Sequence, residues 1–413
     1  MIIVLIEVLE VIIFVVIACS VAYVAFFAIA GACKGKEEDE HDESTSYRYL
    51  VLFPAYAEDA VIVSSIRSFL KQDYPSDSYH VVVISDHNSI ATNGALSALP
   101  VTLLTPTFEH STKGAALQYA MSNERIAATS HHYDYVVILD ADNVVETDFL
   151  RRLSGVCSHG YKAVQCHRTA KNRDNEVSLL DAVSEEINNT IFRSAHNAIG
   201  LSSSLIGSGL CIAYDWFDAH VGNLLTAGED RELETMLLSD RIFIRYEASV
   251  PVYDEKVSDA KTFSQQRRRW LSAQLHSLLT MLPALPHAVR TRNIDFIDKT
   301  IQQALIPRSM LIAMTAFFTL LITVITIINA VNTLPTQASA NSSLFSLLSP
   351  LVRWWALLII LLLSLRLAIP KELRRWNLVT HAVTASKLTL RMFGSASRVS
   401  KSNKVFIHTE HKH

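Results

Sequence analysis

The chain has 413 residues, half of them hydrophobic, and its mean hydropathy is positive at +0.23. This length allows one large globular domain together with membrane-spanning segments. The net charge of −3 and the lack of a basic domain with interleaved aromatic residues argue against nucleic acid as a partner.

An uncharged segment near the start of the sequence, residues 11–33, is long enough to cross a hydrocarbon core of about 30 Å as a helix. A cleaved signal peptide is the competing interpretation, but Glu7 and Glu10 lie where such a peptide carries its basic region. We therefore expect residues 1–33 to form a transmembrane anchor, followed by an acidic linker over residues 34–46.

Strands and helices are expected to alternate in the part of the chain that follows. The expected strands are residues 49–53, 80–85 and 135–139, and the expected helices are residues 60–71 and 114–123. Apolar runs of about five residues separated by helical stretches are typical of βαβ units and of a mostly parallel sheet covered on both faces. The pattern predicts an α/β, Rossmann-like nucleotide-binding domain.

Acidic residues follow each predicted strand, at the edge of the sheet where open α/β folds bind ligands. Glu58 follows the first strand, Asp86 the second, and Asp140 and Asp142 the third. Glu58 or Asp86 alone would more simply be a turn or helix cap. Their shared placement predicts one crevice, in which the aspartate pair could hold a divalent cation on a diphosphate.

Two further motifs occur later in the chain. A helix is predicted to begin at Gly228-Glu229-Asp230, and Gln265-Gln266-Arg267-Arg268-Arg269-Trp270 places three arginines beside a tryptophan. By charge alone, the arginine run could instead bind anionic lipid at a membrane surface, at about 1 kcal/mol per residue. Both interpretations remain open on these residues alone.

Taken in order, these motifs resemble the family-two inverting glycosyltransferases with the GT-A fold, in particular the membrane-bound branch that includes cellulose, chitin and hyaluronan synthases. The resemblance covers residues 47–270. It rests on Pro54-Ala55-Tyr56-Ala57-Glu58, Asp86, Lys113-Gly114, Asp140-Ala141-Asp142, Gly207-Ser208-Gly209, Glu229-Asp230 and Gln266-Arg267-Arg268-Arg269-Trp270. It implies sugar transfer from a nucleotide-diphosphate sugar, expected to be a UDP-sugar, to a glycan or lipid-linked acceptor, with Mn²⁺ or Mg²⁺ as cofactor.

The resemblance also implies a role for each site residue. On the donor side, Tyr56, Glu58 and Asp86 would contact the nucleoside, Lys113 would lie near the nucleotide, and Asp142, supported by Asp140, would hold the metal. On the acceptor side, Asp230 would be the general base, and Gln266, Arg269 and Trp270 would line the acceptor end and help to hold the pyrophosphate.

The sequence departs from the family pattern at three positions. Asp86 is followed by His87-Asn88-Ser89 where Asp-Gly-Ser is common, Ala57 stands where relatives often have Asn, and Asn143 follows the aspartate pair where some relatives have an acid. These differences make the nucleoside contacts less certain than the metal site. His167 and Arg168 have no partner of recognisable spacing, and we interpret them as structural.

Two more apolar segments are predicted transmembrane helices: residues 309–331, which are uncharged, and residues 351–369, in which Arg353 and Arg366 lie near enough to the ends to snorkel. Residues 271–308 between the domain and these segments contain Pro283 and Pro286, which favours short interfacial helices. The loop between the two segments has no Lys or Arg, whereas residues 370–413 form a basic tail, so the tail and the catalytic domain are expected in the cytosol, at the plasma membrane.

Three predicted spans are few for a complete polysaccharide channel, so single transfer and processive synthesis both remain open. Membrane lipids and polysaccharide-export subunits are the expected further partners. The alternative function is a catalytically idle GT-A subunit that acts as a scaffold in an export complex. The presence of Asp142, Asp230 and Arg269 argues against it, because a scaffold needs none of the three.

Overall fold

The computed structural model describes residues 2–33, 45–123, 126, 133–256, 260–332 and 340–374. Most of the expected acidic linker, residues 34–44, and most of the expected basic tail, residues 375–413, lie outside these ranges. The strands are β1 (Tyr49–Tyr56), β2 (Tyr79–Asp86), β3 (Thr102–Leu104), β4 (Tyr135–Ile138), β5 (Val144–Val145), β6 (Ala163–Ala170), β7 (Leu210–Ala213) and β8 (Ile244–Asp254).

The helices lie between and beyond these strands. They are α1 (Ile2–Cys33), α2 (Ile62–Phe69), α3 (Ile90–Ser97), α4 (Lys113–Met121), α5 (Phe149–Cys157), α6 (Glu176–Asn188), α7 (Ala195–Ala198), α8 (Tyr214–His220), α9 (Glu229–Ser239), α10 (Ala260–Met281), α11 (Leu285–Arg290), α12 (Ile294–Ala304), α13 (Arg308–Asn332) and α14 (Ala340–Ala368). A π-helix, Asn189–Ser194, joins α6 to α7.

The described strands form one sheet in the order β3-β2-β1-β4-β7-β6-β8-β5. β3, β2, β1 and β4 are parallel to one another, and β6 is parallel to β8, whereas β7 and β5 run antiparallel to their neighbours. The prediction of a mostly parallel α/β sheet is confirmed. Since β1, β2 and β4 are parallel neighbours, their carboxyl ends meet at one edge.

The sheet separates two layers of helices. Alternate residues of β1 point to opposite faces: Leu52 packs with Leu117 of α4 on one side, and Phe53 packs with Phe69 of α2 on the other. All four side chains are buried. Because both faces are covered, the strands are apolar without interruption, as the sequence pattern indicated.

Three helices in the described part of the chain are long and apolar enough to cross a membrane: Val4–Cys33, Arg308–Val331 and Ser349–Ala368. α14 packs against α1 through Trp354, which is fully buried and whose indole donates to Glu10 of α1. Arg353 also pairs with Glu10. In the sequence, Glu10 argued against a signal peptide. In the structure it contributes to the association of α1 with α14, because a carboxylate that is paired inside a helix bundle is tolerated.

A polar contact also attaches α1 to the globular domain. The Tyr23 hydroxyl donates to Asp298 Oδ1 of α12 at 2.9 Å and lies 3.0 Å from His196 Nε2 of α7. The His196 ring stacks on Phe27 of α1 with ring centres 3.7 Å apart. The end of α1 is thus held against the globular domain by both hydrogen bonds and ring packing.

One local expectation differs from the structure. α10 continues without a break from the arginine run to Met281, whereas short helices were expected directly after Trp270. The first proline after the run is Pro283, and the short segments Leu282–Ala284 and α11 begin there. α10 ends just before Pro283, which lacks a backbone N–H to continue the helix. The leucines between Trp270 and Met281 are compatible with a helix, so nothing ends it earlier.

Gly209 is the position in the fold where replacement of glycine is expected to be most costly. Its φ is +65°, and an added Cβ would lie 3.1 Å from Val252 Cγ2. We expect Gly209→Ala to lower the free energy of unfolding by about 1–3 kcal/mol, because it adds a crowded contact to the cost of a left-handed backbone.

The matched control for this prediction is Gly160→Ala, since Gly160 also has a positive φ, +82°, but has open space at its Cβ. Thermal melts of both variants should show the larger loss for Gly209→Ala. Equal losses would mean that the contact with Val252 is relieved at no cost.

Candidate active site

A cavity of about 600 Å³ lies at the carboxyl edge of the sheet. All ten residues that the sequence predicted for the site contribute to its lining: Tyr56, Glu58, Asp86, Lys113, Asp140, Asp142, Asp230, Gln266, Arg269 and Trp270. They come from the ends of β1, β2 and β4 and from the starts or faces of α4, α9 and α10. Residues separated by more than 200 positions in the sequence therefore share one chamber.

The ends of β1 and β2 form the part of the chamber expected to hold the nucleoside. Ala57 and His87, directly after these strands, both have positive φ values, 53° and 59°. Hydrogen bonds hold this geometry: the Ala57 amide donates to the Asp86 carbonyl at 2.9 Å, and the Glu58 amide donates to Asn88 Oδ1 at 2.6 Å. A left-handed backbone is uncommon for residues other than glycine, so Ala57 and His87 give these two strand ends an unusual local geometry.

The aspartate pair after β4 lies in a tight turn. Asn143 closes this turn, since its Oδ1 accepts from the Asp140 amide at 2.9 Å and its Nδ2 donates to Asp142 Oδ1 at 3.2 Å. The other carboxylate oxygen of Asp142 accepts from the Glu255 amide at 2.8 Å, just beyond β8. Asp142 is 4% exposed, so its carboxylate is held from two sides in a buried position.

Lys113, the first residue of α4, links three parts of the chamber. Its ammonium donates to Asp140 Oδ1 and to the Gly207 carbonyl, and it lies 3.9 Å from Glu229 Oε1. Burial alone would lower the pKa of Lys113, but the charges of Asp140 and Glu229 outweigh burial and raise it. A permanently charged lysine beside the aspartate pair suits the binding of a diphosphate.

Glu229 and Asp230 form the first turn of α9. Burial raises the pKa of Glu229 to about 7, the charge of Lys113 opposes this rise, and Asp230 adds to it. Asp230 Oδ1 accepts from the Arg231 amide at 2.9 Å, which directs the carboxylate along the start of the helix. The two neighbouring acids thus have different environments, one enclosed beside a lysine and one at the open end of a helix.

Gln266, Arg269 and Trp270 lie three and four residues apart on α10, so they share one face of the helix. Gln266 Oε1 is buried and has no hydrogen-bond partner among the described residues. Arg267 also lines the cavity: it donates to Asp181 at 2.6 Å and to Ser184 at 3.1 Å, and its guanidinium lies 4.6 Å from the centre of the Trp270 ring. One face of Trp270 is therefore covered by Arg267.

A cluster of buried charges beside the aspartate pair was missed from the sequence. Arg168, at the end of β6, lines the cavity and lies 3.3 Å from Asp254 and 3.4 Å from Glu185. Glu185 also pairs with Arg193 at 3.0 Å. Burial by itself would raise the pKa of Glu185, but the surrounding cations lower it well below its usual range. Arg168 was interpreted as structural, yet its guanidinium faces the same chamber.

Residues 47–273 match the family model described as glycosyltransferase like family 2. The chain belongs to this family. The chain is 26% identical over 188 residues to chitin synthase 7 of Gibberella zeae and 27% identical over 188 residues to chitin synthase Vb of Fusarium oxysporum f. sp. lycopersici. Each match covers 39% of this chain and 10% of the fungal protein, so the chain spans about a tenth of the length of these relatives.

Among solved structures, the glycosyltransferase resembles the mannosyltransferase PcManGT from Pyrobaculum calidifontis in complex with GDP-Man and Mn²⁺. The TM-score is 0.51 at 16% sequence identity, and the match covers 85% of this chain and 99% of the other. At this identity the similarity is one of fold. The predicted GT-A fold and the predicted family are confirmed.

Two carboxylates are available for a divalent cation in this glycosyltransferase. In the described part of the chain, no three His, Cys, Asp or Glu side chains are grouped as a metal site. Asp140 and Asp142 supply hard oxygen atoms, which suit Mg²⁺ or Mn²⁺, and such cations commonly take their remaining ligands from substrate phosphates and water. The residues present therefore fit a cation that binds together with the donor.

The raised pKa of Glu229 leads to a pH prediction. A carboxyl group whose folded pKa rises from 4.5 to about 7 stabilises the fold most below pH 4.5, and this contribution is lost as the pH rises through 7. The Gln side chain of Glu229→Gln is neutral at every pH. The free energy of unfolding of the variant minus that of wild type should therefore increase by about 3 kcal/mol from pH 5 to pH 8. Melting temperatures across this range test the prediction; a constant difference would contradict it.

Proposed function

We propose that this protein is a membrane-anchored, metal-dependent, inverting glycosyltransferase that uses a UDP-sugar as donor. The observation that carries the proposal is the meeting of Asp142, Asp230 and Arg269 in one cavity of a chain from glycosyltransferase like family 2. Sugar transfer from such a donor needs a stabilised leaving group, an activated acceptor hydroxyl and a site that excludes water. Asp142 and Arg269 would serve the first of these needs and Asp230 the second, and their place in a cavity serves the third.

The donor side is proposed to hold the diphosphate. Asp142, with Asp140, would bind the cation, which when bound supplies positive charge that stabilises the departing diphosphate. Lys113 and Arg269 add fixed positive charges to the lining of the same cavity. Tyr56, at the end of β1, would lie at the nucleoside. A buried lysine that is already charged needs no reorganisation as negative charge develops on the leaving group.

The acceptor side is proposed to activate the attacking hydroxyl. Asp230 would remove its proton, a step that typically contributes about 10²–10⁴-fold to the rate. Attack on the anomeric carbon from the side opposite the diphosphate inverts that centre, so a single carboxylate base is sufficient. Gln266 Oε1, a buried acceptor with no partner in the described part of the chain, is well suited to accept a hydrogen bond from a sugar hydroxyl.

The membrane assignment follows from the three long apolar helices and from the distribution of basic residues. We propose that α1, α13 and α14 span the plasma membrane with the catalytic domain in the cytosol, where nucleotide sugars are available. Polysaccharide synthesis is within the scope of the proposal, since the relatives with the matching catalytic segment include chitin synthases. A scaffold role would leave the assembled carboxylates and cations without purpose.

The test uses purified full-length protein in lipid nanodiscs and a panel of radiolabelled donors: UDP-N-acetylglucosamine, UDP-glucose, UDP-galactose and, as a contrast, GDP-mannose. Each is incubated with Mn²⁺, with Mg²⁺ or with EDTA, and released nucleotide and transferred sugar are counted. We expect one UDP-sugar to turn over with metal and not with EDTA. Turnover of GDP-mannose alone, turnover that survives EDTA, or no turnover with any donor would contradict the proposal.

A further inference from the structure

The cavity that contains the site residues extends past them to the membrane helices. Its far end is lined by aliphatic and thioether side chains, namely Val24, Val183, Ile187, Ile306, Met310 and Ile312. Val24 belongs to the first membrane-type helix, and Met310 and Ile312 belong to the second. The chamber is therefore charged at the sheet edge and, where the two helices approach it, carries these apolar side chains together with Ser20, Arg308 and Ser309.

Two hydrogen-bond donors without acceptors lie between the two ends of the cavity. Lys299 donates to Ser204 Oγ at 2.8 Å, and this hydroxyl donates to Gln302 Oε1 at 2.8 Å. Lys299 can only donate, so Ser204 Oγ accepts from it and must donate its own proton to Gln302 Oε1. The Nε2 group of Gln302 therefore points away from Ser204. Gln302 is 8% exposed, and its Nε2 atom has no partner among the residues that the structure describes.

Arg308, the first residue of α13, is the second such donor. Its Nη2 atom donates to the Ser184 carbonyl at 2.9 Å and to Ser184 Oγ at 2.6 Å. Its Nη1 atom is buried and, within the described ranges, has no hydrogen-bond partner. Both Gln302 and Arg308 line the cavity. A buried donor without an acceptor is unfavourable, so a ligand that satisfies both would have acceptor oxygens at this depth.

The polar end carries charges of both signs, since Lys113, Arg168 and Arg269 line it together with Asp140, Asp142, Glu229 and Asp230. The lining by itself therefore does not fix the charge of the ligand. The proposed general base does, because an ionised phosphate needs no base before it attacks, whereas a neutral hydroxyl is the kind of nucleophile that needs one such as Asp230.

We propose that the acceptor is a neutral membrane lipid with a free hydroxyl close to an ester or amide carbonyl, and that its chains occupy the apolar end between α1 and α13. This inference rests on the proposed function. Asp230 takes the hydroxyl proton, the hydroxyl oxygen forms a bond to the anomeric carbon, and the bond from that carbon to the diphosphate breaks, with the electron pair leaving on the diphosphate. The products are a glycolipid and the nucleoside diphosphate.

The apolar lining also distinguishes a lipid from a growing polysaccharide. A polysaccharide exposes hydroxyl groups along its whole length, and these would lose their hydrogen bonds to water beside Val24, Val183 and Ile312. Hydrocarbon chains lose nothing there and are removed from water. The lining of the cavity, charged at the sheet edge and with aliphatic side chains beside α1 and α13, thus matches an amphiphile whose head reaches Asp230.

The test offers four acceptors to the nanodisc-embedded enzyme with the active donor: dioleoylglycerol, N-acylsphingosine, a polyprenyl phosphate and a chitin oligosaccharide. We expect transfer of one sugar to either or both neutral lipids, at least tenfold faster than to the other two. Preferred transfer to the polyprenyl phosphate, or elongation of the oligosaccharide, would overturn the inference. Donor hydrolysis without lipid transfer would overturn it too and leave the proposed function standing, whereas no donor turnover at all would defeat the proposed function.

Two variants test whether the lipid binds in the cavity. Ile312→Trp fills the apolar end and should raise KM for the lipid at least tenfold with a much smaller change in KM for the donor. The matched control is Ile325→Trp on the same helix, where Ile325 is 43% exposed and faces away from the cavity, and it should behave as wild type. Gln302→Leu removes the Nε2 donor together with the oxygen that accepts from Ser204, and it should raise KM for the lipid several-fold. Equal changes in both KM values for Ile312→Trp and Gln302→Leu would contradict the placement.

Discussion

Asp230→Asn is expected to lower the rate of sugar transfer by about 10²–10⁴-fold, the usual contribution of a general base. The substitution keeps the size of the side chain and an oxygen that can accept from the Arg231 amide, so the start of α9 should remain intact. An amide cannot take up the acceptor proton. Because the proton moves only as the new bond forms, the loss should appear in kcat, with KM for the donor changed little.

Initial rates with the active donor over a range of acceptor concentrations measure this effect. The control is Asp240→Asn, which lies at the other end of α9 and pairs there with Trp216 and His220 outside the cavity. It should retain wild-type kcat. If Asp230→Asn kept more than a third of the wild-type rate, Asp230 would not be the base, and Glu229 would become the nearest alternative.

The edge of the sheet could be predicted because the information is local. Each of β1, β2 and β4 is a short apolar run followed by an acid, and parallel strands bring such ends together. The helix that begins at Glu229 was also visible from its acidic first turn. Each of these positions is recognisable from its local sequence alone, which contains no information on the distant side chains that face it.

The contacts between distant residues could not be predicted. The Lys113 ammonium meets Asp140 and Glu229 only because α4 and α9 begin at the same place in space. Glu185 lies inside α6, where an acid usually faces water, and nothing in its neighbourhood signals that it is surrounded by Arg168 and Arg193. Buried charge networks depend on tertiary placement, which residue type and local spacing do not specify.

The same limit applies to the long apolar helices. Hydropathy predicted them, since a continuous apolar stretch is a local property. It could not show that Glu10 meets Arg353 and Trp354 from another helix, because that pairing depends on how α1 and α14 pack. Nor could it show that the apolar wall near Ile312 continues into the catalytic chamber.

The two aspartates of the pair are expected to differ in their importance for metal binding. Asp142 is buried, and one of its oxygens is oriented by the Glu255 amide and the other by Asn143, so its carboxylate is held in place before any cation arrives. The Asp140 side chain is 34% exposed, and its Oδ1 atom is engaged by Lys113. A cation would compete with that lysine for Asp140 but not for Asp142.

Asp142→Ala should therefore raise the Mn²⁺ concentration for half-maximal binding at least tenfold, and Asp140→Ala by a smaller factor. In Asp140→Ala the ligand that is lost was partly neutralised by Lys113, whereas Asp142→Ala leaves the cation with no preorganised carboxylate. Titration of free Mn²⁺ by electron paramagnetic resonance, in the presence of the nucleoside diphosphate, measures both without relying on turnover. Asp148→Ala, at the surface pair with Arg152, is the control. The reverse ranking would assign the direct ligand to Asp140, and the role of Lys113 would then be to occupy that carboxylate until the cation and the donor arrive together.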